Sequence, residues 1–237
     1  MTNVKDSLAG QLTRSGRKIK NMEKKGARKK VSVQQVYNAV LEMDDELVVK
    51  AVKAEIDNGT DPSVILNEGL ISAMDEIGKR FSEGTVFVPE MMMAAEAMKA
   101  GVAELKPLMQ DIDTKSSGTI VIGTVKDDLH DIGKNLVAMM LESGGFNVID
   151  LGVDVETEKF LEAAKDNNAD IICMSALLTT TMPAMKEVVE AIKEAGLDFK
   201  TMVGGAPVTQ EFADQIGATG YSADAPGAVE KARELIG

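Results

Sequence analysis

The chain has 237 residues, 44% of them apolar but only 3% aromatic and none of them Trp, so one large or two small domains must be built from Val, Ile, Leu, Ala and Met. The single cysteine, Cys173, excludes an internal disulfide and a cysteine-based metal site; it sits in the apolar run 170–174, as a buried small hydrophobe does. With no apolar segment near Met1 resembling a signal peptide, and no apolar run of roughly 18 residues, the expectation is a soluble cytoplasmic protein.

The net charge of −12 is unevenly placed. Residues 1–30 carry ten Lys/Arg against Asp6 and Glu23, so this basic extension has a charge of +8 and the rest of the chain −20. The extension lacks aromatic side chains that could stack on bases, which favours a solvated arm over a nucleic-acid contact.

Residues 31–113 read as one helical domain, an antiparallel four-helix bundle. Ser32 and Gln35 form a capping box ahead of a helix carrying Val36, Val40 and Leu41. Asp44 caps a second helix with Leu47, Val48, Ala51, Val52 and Ile56, stopped at Asn58-Gly59. Asp61-Pro62 opens a third, with Ile65, Leu66, Ala73, Met74 and Ile77, which ends at Ser82-Glu83-Gly84. A fourth starts near Pro89 and runs through Met91, Met92, Met93 and Met98.

After a linker around Asp111 to Gly118 the rhythm changes, and residues 118–237 read as a second domain. Apolar runs at Thr119–Thr124, Asn147–Leu151, Asp170–Ser175, Lys200–Val203 and Thr219–Tyr221 alternate with helical stretches. These are Ile132–Glu142, Thr157–Lys165, Met182–Ala195, Thr209–Ile216 and Ala228–Ile236. Five consecutive βα units predict an α/β, Rossmann-like (flavodoxin-like) five-stranded parallel sheet with helices on both faces. Ligands of such sheets bind beyond the carboxyl ends of the strands. That rule selects the loops 125–133, 175–181 and 204–207.

His130, the only histidine, lies in the first of these loops. Asp128 is close enough in sequence to accept a hydrogen bond from one ring nitrogen, which would orient the ring and raise the basicity of the other. A single His cannot build a zinc site, which needs roughly three or four protein ligands. It can serve a metal whose remaining ligands come from a macrocycle. Other chemistries fit poorly. Ser175 is in no nucleophile elbow, no G-x-G-x-x-G follows the first strand, and Asp127, Asp128 and Asp131 would repel a phosphate there.

The run Asp128-Leu129-His130-Asp131-Ile132-Gly133 resembles the D-x-H-x-x-G signature of cobalamin-binding domains. Ser175-Ala176-Leu177 follows after 41 residues and Gly204-Gly205 after a further 26, in the order and spacing of that family's S-x-L and G-G motifs. From about Val31 onward the chain is similar to stand-alone corrinoid proteins of methanol, methylamine, betaine and aryl-methyl-ether methyltransferase systems. The turn Val86-Phe87-Val88-Pro89-Glu90 resembles part of their helical cap.

The resemblance implies a cobalt corrinoid cofactor, cobalamin or a relative, cycling between cob(I)alamin and methylcobalamin. It implies His130 as the lower axial ligand to cobalt, Asp128 as its hydrogen-bond partner and Thr181 as a relay hydroxyl where the family more often has serine. Leu129, Asp131, Ile132, Leu177 and Thr179 would line the cofactor. Gly133, Gly204 and Gly205 would let backbone approach it closely, and Ser175 would bond the displaced benzimidazole. Phe87, Met92 and Met93 would cover the methyl-bearing face, while Met91, Ala94, Ala95 and Met98 fit either core or cofactor. The implied partners are a substrate methyltransferase, a corrinoid-to-acceptor methyltransferase acting on a thiol or folate, and a reductive activase, with no membrane. A mutase cobalamin subunit and a cobalamin-dependent sensor or regulator share the motifs. The first lacks the methyl-type cap, and the second needs a DNA-binding module for which residues 1–30 are too short.

Overall fold

The structure is a computed structural model that describes residues 33–109 and 117–237. The basic extension, the Ser32 cap and most of the linker lie outside the described residues. In the helical part, α1 covers residues 33–41 and α2 is Asp45–Asp57, where the Asp44 carboxylate accepts from the Leu47 N–H at 2.9 Å. Asp61 caps the short α3 (Pro62–Val64) by accepting from the Ser63 N–H. The helix continues through a π-helical stretch, Ile65–Ile71, into α4 (Ser72–Ser82). The periodicity predicts no such widening. Its physical correlate is Gly69, where an added Cβ would come within 3.0 Å of Val36 Cγ1, so α1 crosses against bare backbone. α5 (Val88–Leu105) starts one residue before Pro89, with the Phe87 N–H held by Glu90 Oε2 at 2.8 Å.

The α/β part matches the predicted order. Strands β1 (Thr119–Thr124), β2 (Asn147–Asp150), β3 (Ile171–Ser175), β4 (Lys200–Gly204) and β5 (Gly220–Tyr221) form one parallel sheet in the order β2-β1-β3-β4-β5. They alternate with α6 (Ile132–Ser143), α7 (Thr157–Asp166), α8 (Met182–Glu194), α9 (Gln210–Ile216) and α10 (Ala225–Ile236). The strand order reverses between β1 and β3, where a crevice opens at the carboxyl ends.

Strand alternation divides the core between the two sheet faces. Val121, Ile172 and Val203 pack with Phe160 of α7 and Met185, Val188 and Val189 of α8. Ile120, Ile122, Cys173 and Met202 face the other way, toward α6 and α10. That second core continues without a break into the helical part, reaching Met74 and Ile77 of α4 and Met91 and Met98 of α5. The helical part therefore rests on one sheet face only, with α5 against α6 and α4 against α10. Two half-exposed ion pairs, Arg233–Asp75 at 3.0 Å and Lys99–Glu142 at 3.7 Å, cross this contact and add little to the apolar burial. Among the described residues no helix is long and apolar enough to cross a membrane.

Candidate functional site

The loop from β1 to α6 is bonded from three sides. Beneath it, the buried Thr124 hydroxyl donates to the His130 carbonyl at 2.9 Å. On the β2 side, Val125 bridges to Val155, and Asp154 clamps the turn from both its ends. The Asp154 carboxylate accepts from the Asp127 N–H at 2.7 Å, and its own N–H donates to the Asp128 carbonyl at 3.0 Å. Both acids adopt left-handed backbone, Asp127 at φ 63° and Asp154 at φ 53°, a conformation Asp tolerates better than most residues.

On the β3 side the Asp128 side chain is fully buried and meets a set of donors. Oδ2 accepts from the Thr181 hydroxyl at 2.7 Å and from the N–H groups of Leu177 and Leu178 at 2.8 and 3.4 Å. Oδ1 lies 2.7 Å from His130 Nδ1 and accepts from the His130 backbone N–H at 3.1 Å. Burial by itself would push this carboxyl up, but the donors from Thr181, Leu177 and His130 outweigh it and hold it well below the usual carboxylate range. An ionised acceptor at Oδ1 places the imidazole proton on Nδ1 and leaves the lone pair on Nε2. The ring is half exposed, so Nε2 is accessible.

Beside His130 a cavity of about 640 Å³ runs between the sheet and helices α6 and α10. Its mouth carries Leu129, His130 and Asp131 from the first loop with Ile132 and Gly133 at the start of α6, Ser175 and Leu177 at the end of β3 and in the loop after it, and Gly204 and Gly205 at the end of β4. The three sequence motifs thus converge on one opening. Gly205 has φ 129°, and an added Cβ would lie 1.9 Å from the Ala176 carbonyl oxygen, so no other residue fits. Gly133 has nothing within 4 Å of that position; it leaves open space beside the histidine. Leu129, Ile132, Leu177 and Leu178 expose large apolar surface around His130, with Ile132 82% accessible.

Other expected residues lie elsewhere. Thr179 is exposed and lines no part of the cavity. Met91, Ala94, Ala95 and Met98 are buried core. Phe87, Met92 and Met93 are 65%, 50% and 55% exposed and also lie outside the cavity lining, with Met92 and Met93 bordering a separate shallow pocket beside Met43 and Asp45. Sequence reasoning missed Lys134, which is buried in the wall with Nζ 2.5 Å from Asp150 Oδ2, and it missed the Asp154 clamp. A charged residue two positions into an otherwise apolar helix face was the available signal for Lys134; nothing local signalled Asp154.

Comparison with known proteins gives this geometry a family. Two B12 binding domain models match the chain, one over residues 118–230 and one over residues 33–106. The chain is 47% identical over 207 residues to dimethylamine corrinoid protein 1 of Methanosarcina acetivorans, covering 86% of this chain and 97% of that protein. It is 44% identical over 214 residues to trimethylamine corrinoid protein 1 of Methanosarcina mazei, covering 89% and 99%. It belongs to the corrinoid proteins of methyltransferase systems. Among solved structures, a chain of the methanol:cobalamin methyltransferase complex MtaBC from Methanosarcina barkeri matches with a TM-score of 0.78 at 34% identity, covering 86% of this chain and 79% of that one. This corrinoid protein accordingly takes a cobalamin-type cofactor and acts as a methyl carrier.

Proposed function

We propose that His130 Nε2 would ligate the cobalt of a bound corrinoid and that Asp128 and Thr181 set the tautomer of its ring. The observation that carries this reading is the buried Asp128 carboxylate, whose donors fix the imidazole proton on Nδ1 and turn a lone pair outward. The surroundings fit the group. A flat, largely apolar macrocycle suits the exposed Leu129, Ile132, Leu177 and Leu178, and the open space at Gly133 admits a ring edge. When bound, cobalt supplies the centre that accepts and releases the methyl group. The protein's own part is to hold that centre and to manage one proton. His130 Nε2 would hold the metal, while the Asp128 carboxylate keeps the ring's own proton on Nδ1 and fixes the ring's direction.

Residues 31–113 then act as the cap and 118–237 as the cofactor domain, with Phe87, Met92 and Met93 offering an apolar, polarisable surface that excludes water from the upper face. Ser175 offers the displaced base a hydroxyl. The relatives' names favour a methylamine as the source of the methyl group. The partner is a substrate methyltransferase, as the MtaBC complex illustrates for methanol. A second methyltransferase acting on a thiol or folate and a reductive activase complete the cycle.

The test is His130→Ala. It should still take up corrinoid, more weakly, without the visible spectrum of a histidine-ligated, base-off form, and should lose methyl transfer from methylamine-loaded partner. Full transfer activity in that variant would disprove the ligand role.

A further inference from the structure

Ile122, Cys173 and Met202 are cross-strand neighbours on β1, β3 and β4, and together they floor the cavity beside His130. Thr124, Ser175 and Gly204 form the row two residues nearer the carboxyl ends, so Ser175 and Gly204 stand at the mouth and the apolar row lies deeper. Leu136 and Val137 of α6, Ala225 and Ala228 of α10 and Phe81 of α4 close the remaining sides.

The polar side chains on this wall are mostly committed elsewhere. Lys134 is paired with Asp150 and donates to Asn135. Ser222 donates to the Asp224 carbonyl, and the Asp224 carboxylate caps α10 through the Gly227 N–H. Asp131 accepts from the Asn135 amide. Apart from His130 Nε2, the lining side-chain polar groups without a hydrogen bond among the described residues are the Ser175 hydroxyl at the mouth and the Cys173 thiol on the floor, where the strand backbone is already paired in the sheet. Burial pushes that thiol up to about 12, so it stays neutral and is a feeble hydrogen-bonding group. A ring inserted past Ser175 therefore finds one good polar contact at the entrance and apolar walls beyond.

We infer that the cavity selects corrinoids whose nucleotide base is a fused benzenoid ring of the benzimidazole type and discriminates against purine bases. This rests on the reading that the cavity receives the displaced nucleotide tail. A benzimidazole has one polar ring nitrogen for Ser175 and a hydrocarbon remainder for Ile122, Cys173 and Met202. An adenine carries further ring nitrogens and an exocyclic amine, which would be buried against those three side chains without partners. Burying unpaired polar atoms is the larger penalty, because sites reject a misplaced polar group through its lost hydration.

The experiment compares binding of cobalamin, its adenine-tailed counterpart and tail-less cobinamide to the full-length apo-protein, recording affinity and the histidine-ligated spectrum of each. Cobalamin should bind at least tenfold more tightly than the adenine-tailed corrinoid, with the latter closer to cobinamide. Equal affinity for the two tailed forms, both well above cobinamide, overturns the selectivity. Equal affinity for all three overturns the underlying reading that the cavity holds the tail. Met202→Gln and Cys173→Ser, near-isosteric changes that add a polar group to the floor, should each narrow the preference. Cobinamide binding serves as the measure that the variant is folded, and an unchanged preference in a folded variant counts against the floor as the discriminator.

Discussion

The loop carrying His130 is held by directional bonds from three neighbouring segments, whereas Phe87, Met92 and Met93 sit at the exposed start of α5. The loop's carboxylate is fully buried among donors, while the three cap side chains are at least half exposed and lie outside the cavity lining. On the proposed roles, His130 as metal ligand and Phe87, Met92 and Met93 as cover, the contrast follows from what each surface would have to do. A metal ligand must keep one tautomer and one direction, which requires fixed polar partners with little freedom. A cover that excludes water and yet admits partner proteins needs area without direction, which apolar methionines supply. The two surfaces also rest on different cores: Val125, Val155 and Ala176 beside the His130 loop belong to the core on the α7/α8 face of the sheet, whereas α5 belongs to the core on the α6/α10 face.

Breaking the rigid side should cost most. Asp128→Ala strands the Leu177 and Leu178 N–H donors and leaves the Thr181 hydroxyl only the Leu178 carbonyl at 2.9 Å, and we expect a loss of about 2–4 kcal/mol in urea unfolding of the apo-protein together with loss of the histidine-ligated spectrum. Gly205→Ala drives a methyl group into the Ala176 carbonyl at a positive φ and should cost about 2–3 kcal/mol. Its contrast is Gly133→Ala, which meets nothing in the apo-protein. That variant should leave thermal stability unchanged, or raise it by up to about 1 kcal/mol at this helical position, while weakening cobalamin binding at least about tenfold as measured by dialysis.

Thr181→Ala removes a single donor to Asp128 and should cost about 1–2 kcal/mol, with Thr181→Ser restoring most of it. This pair also has a signature in pH. Because the folded-state Asp128 carboxyl is depressed, its contribution to stability is complete above the unfolded value of about 4 and drains away as pH falls toward the folded value. Without the Thr181 hydroxyl the depression is smaller, so the stability difference between pH 7 and pH 3 should shrink; an unchanged difference would show that Thr181 does not set the carboxylate. The smallest effect belongs to the adaptable side. Met92→Gln and Met93→Gln should alter apo-protein stability by no more than about 0.5 kcal/mol. Their expected consequence is faster air oxidation of the reduced, cobalamin-loaded protein, followed spectroscopically.

Strand and helix order was legible because short apolar runs such as Thr119–Thr124 and helical runs such as Met182–Glu194 are bounded by local turn and cap signals. The position of His130 at a strand's carboxyl end, and its pairing with a carboxylate two residues away, could be read for the same reason. The π-helical stretch at Ile65–Ile71 could not, since it answers to α1 packing against Gly69 rather than to its own periodicity. Helical spacing put Met91 and Met98 on one face with Ala94 and Ala95, but only the packing showed that this face is core rather than cofactor surface.

By itself, then, the sequence determined the histidine, its carboxylate and the three motifs that frame the opening, because all of these are encoded in short segments with local geometry. Tertiary structure alone decided what surrounds them. It brought Leu177 and Thr181 onto Asp128 from about fifty residues away, set Asp154 against the ligand loop, buried Lys134 beside Asp150, and aligned Ile122, Cys173 and Met202 into an apolar floor. These are contacts between separate strands and loops. Their partners depend on sheet order and register, which no single segment carries.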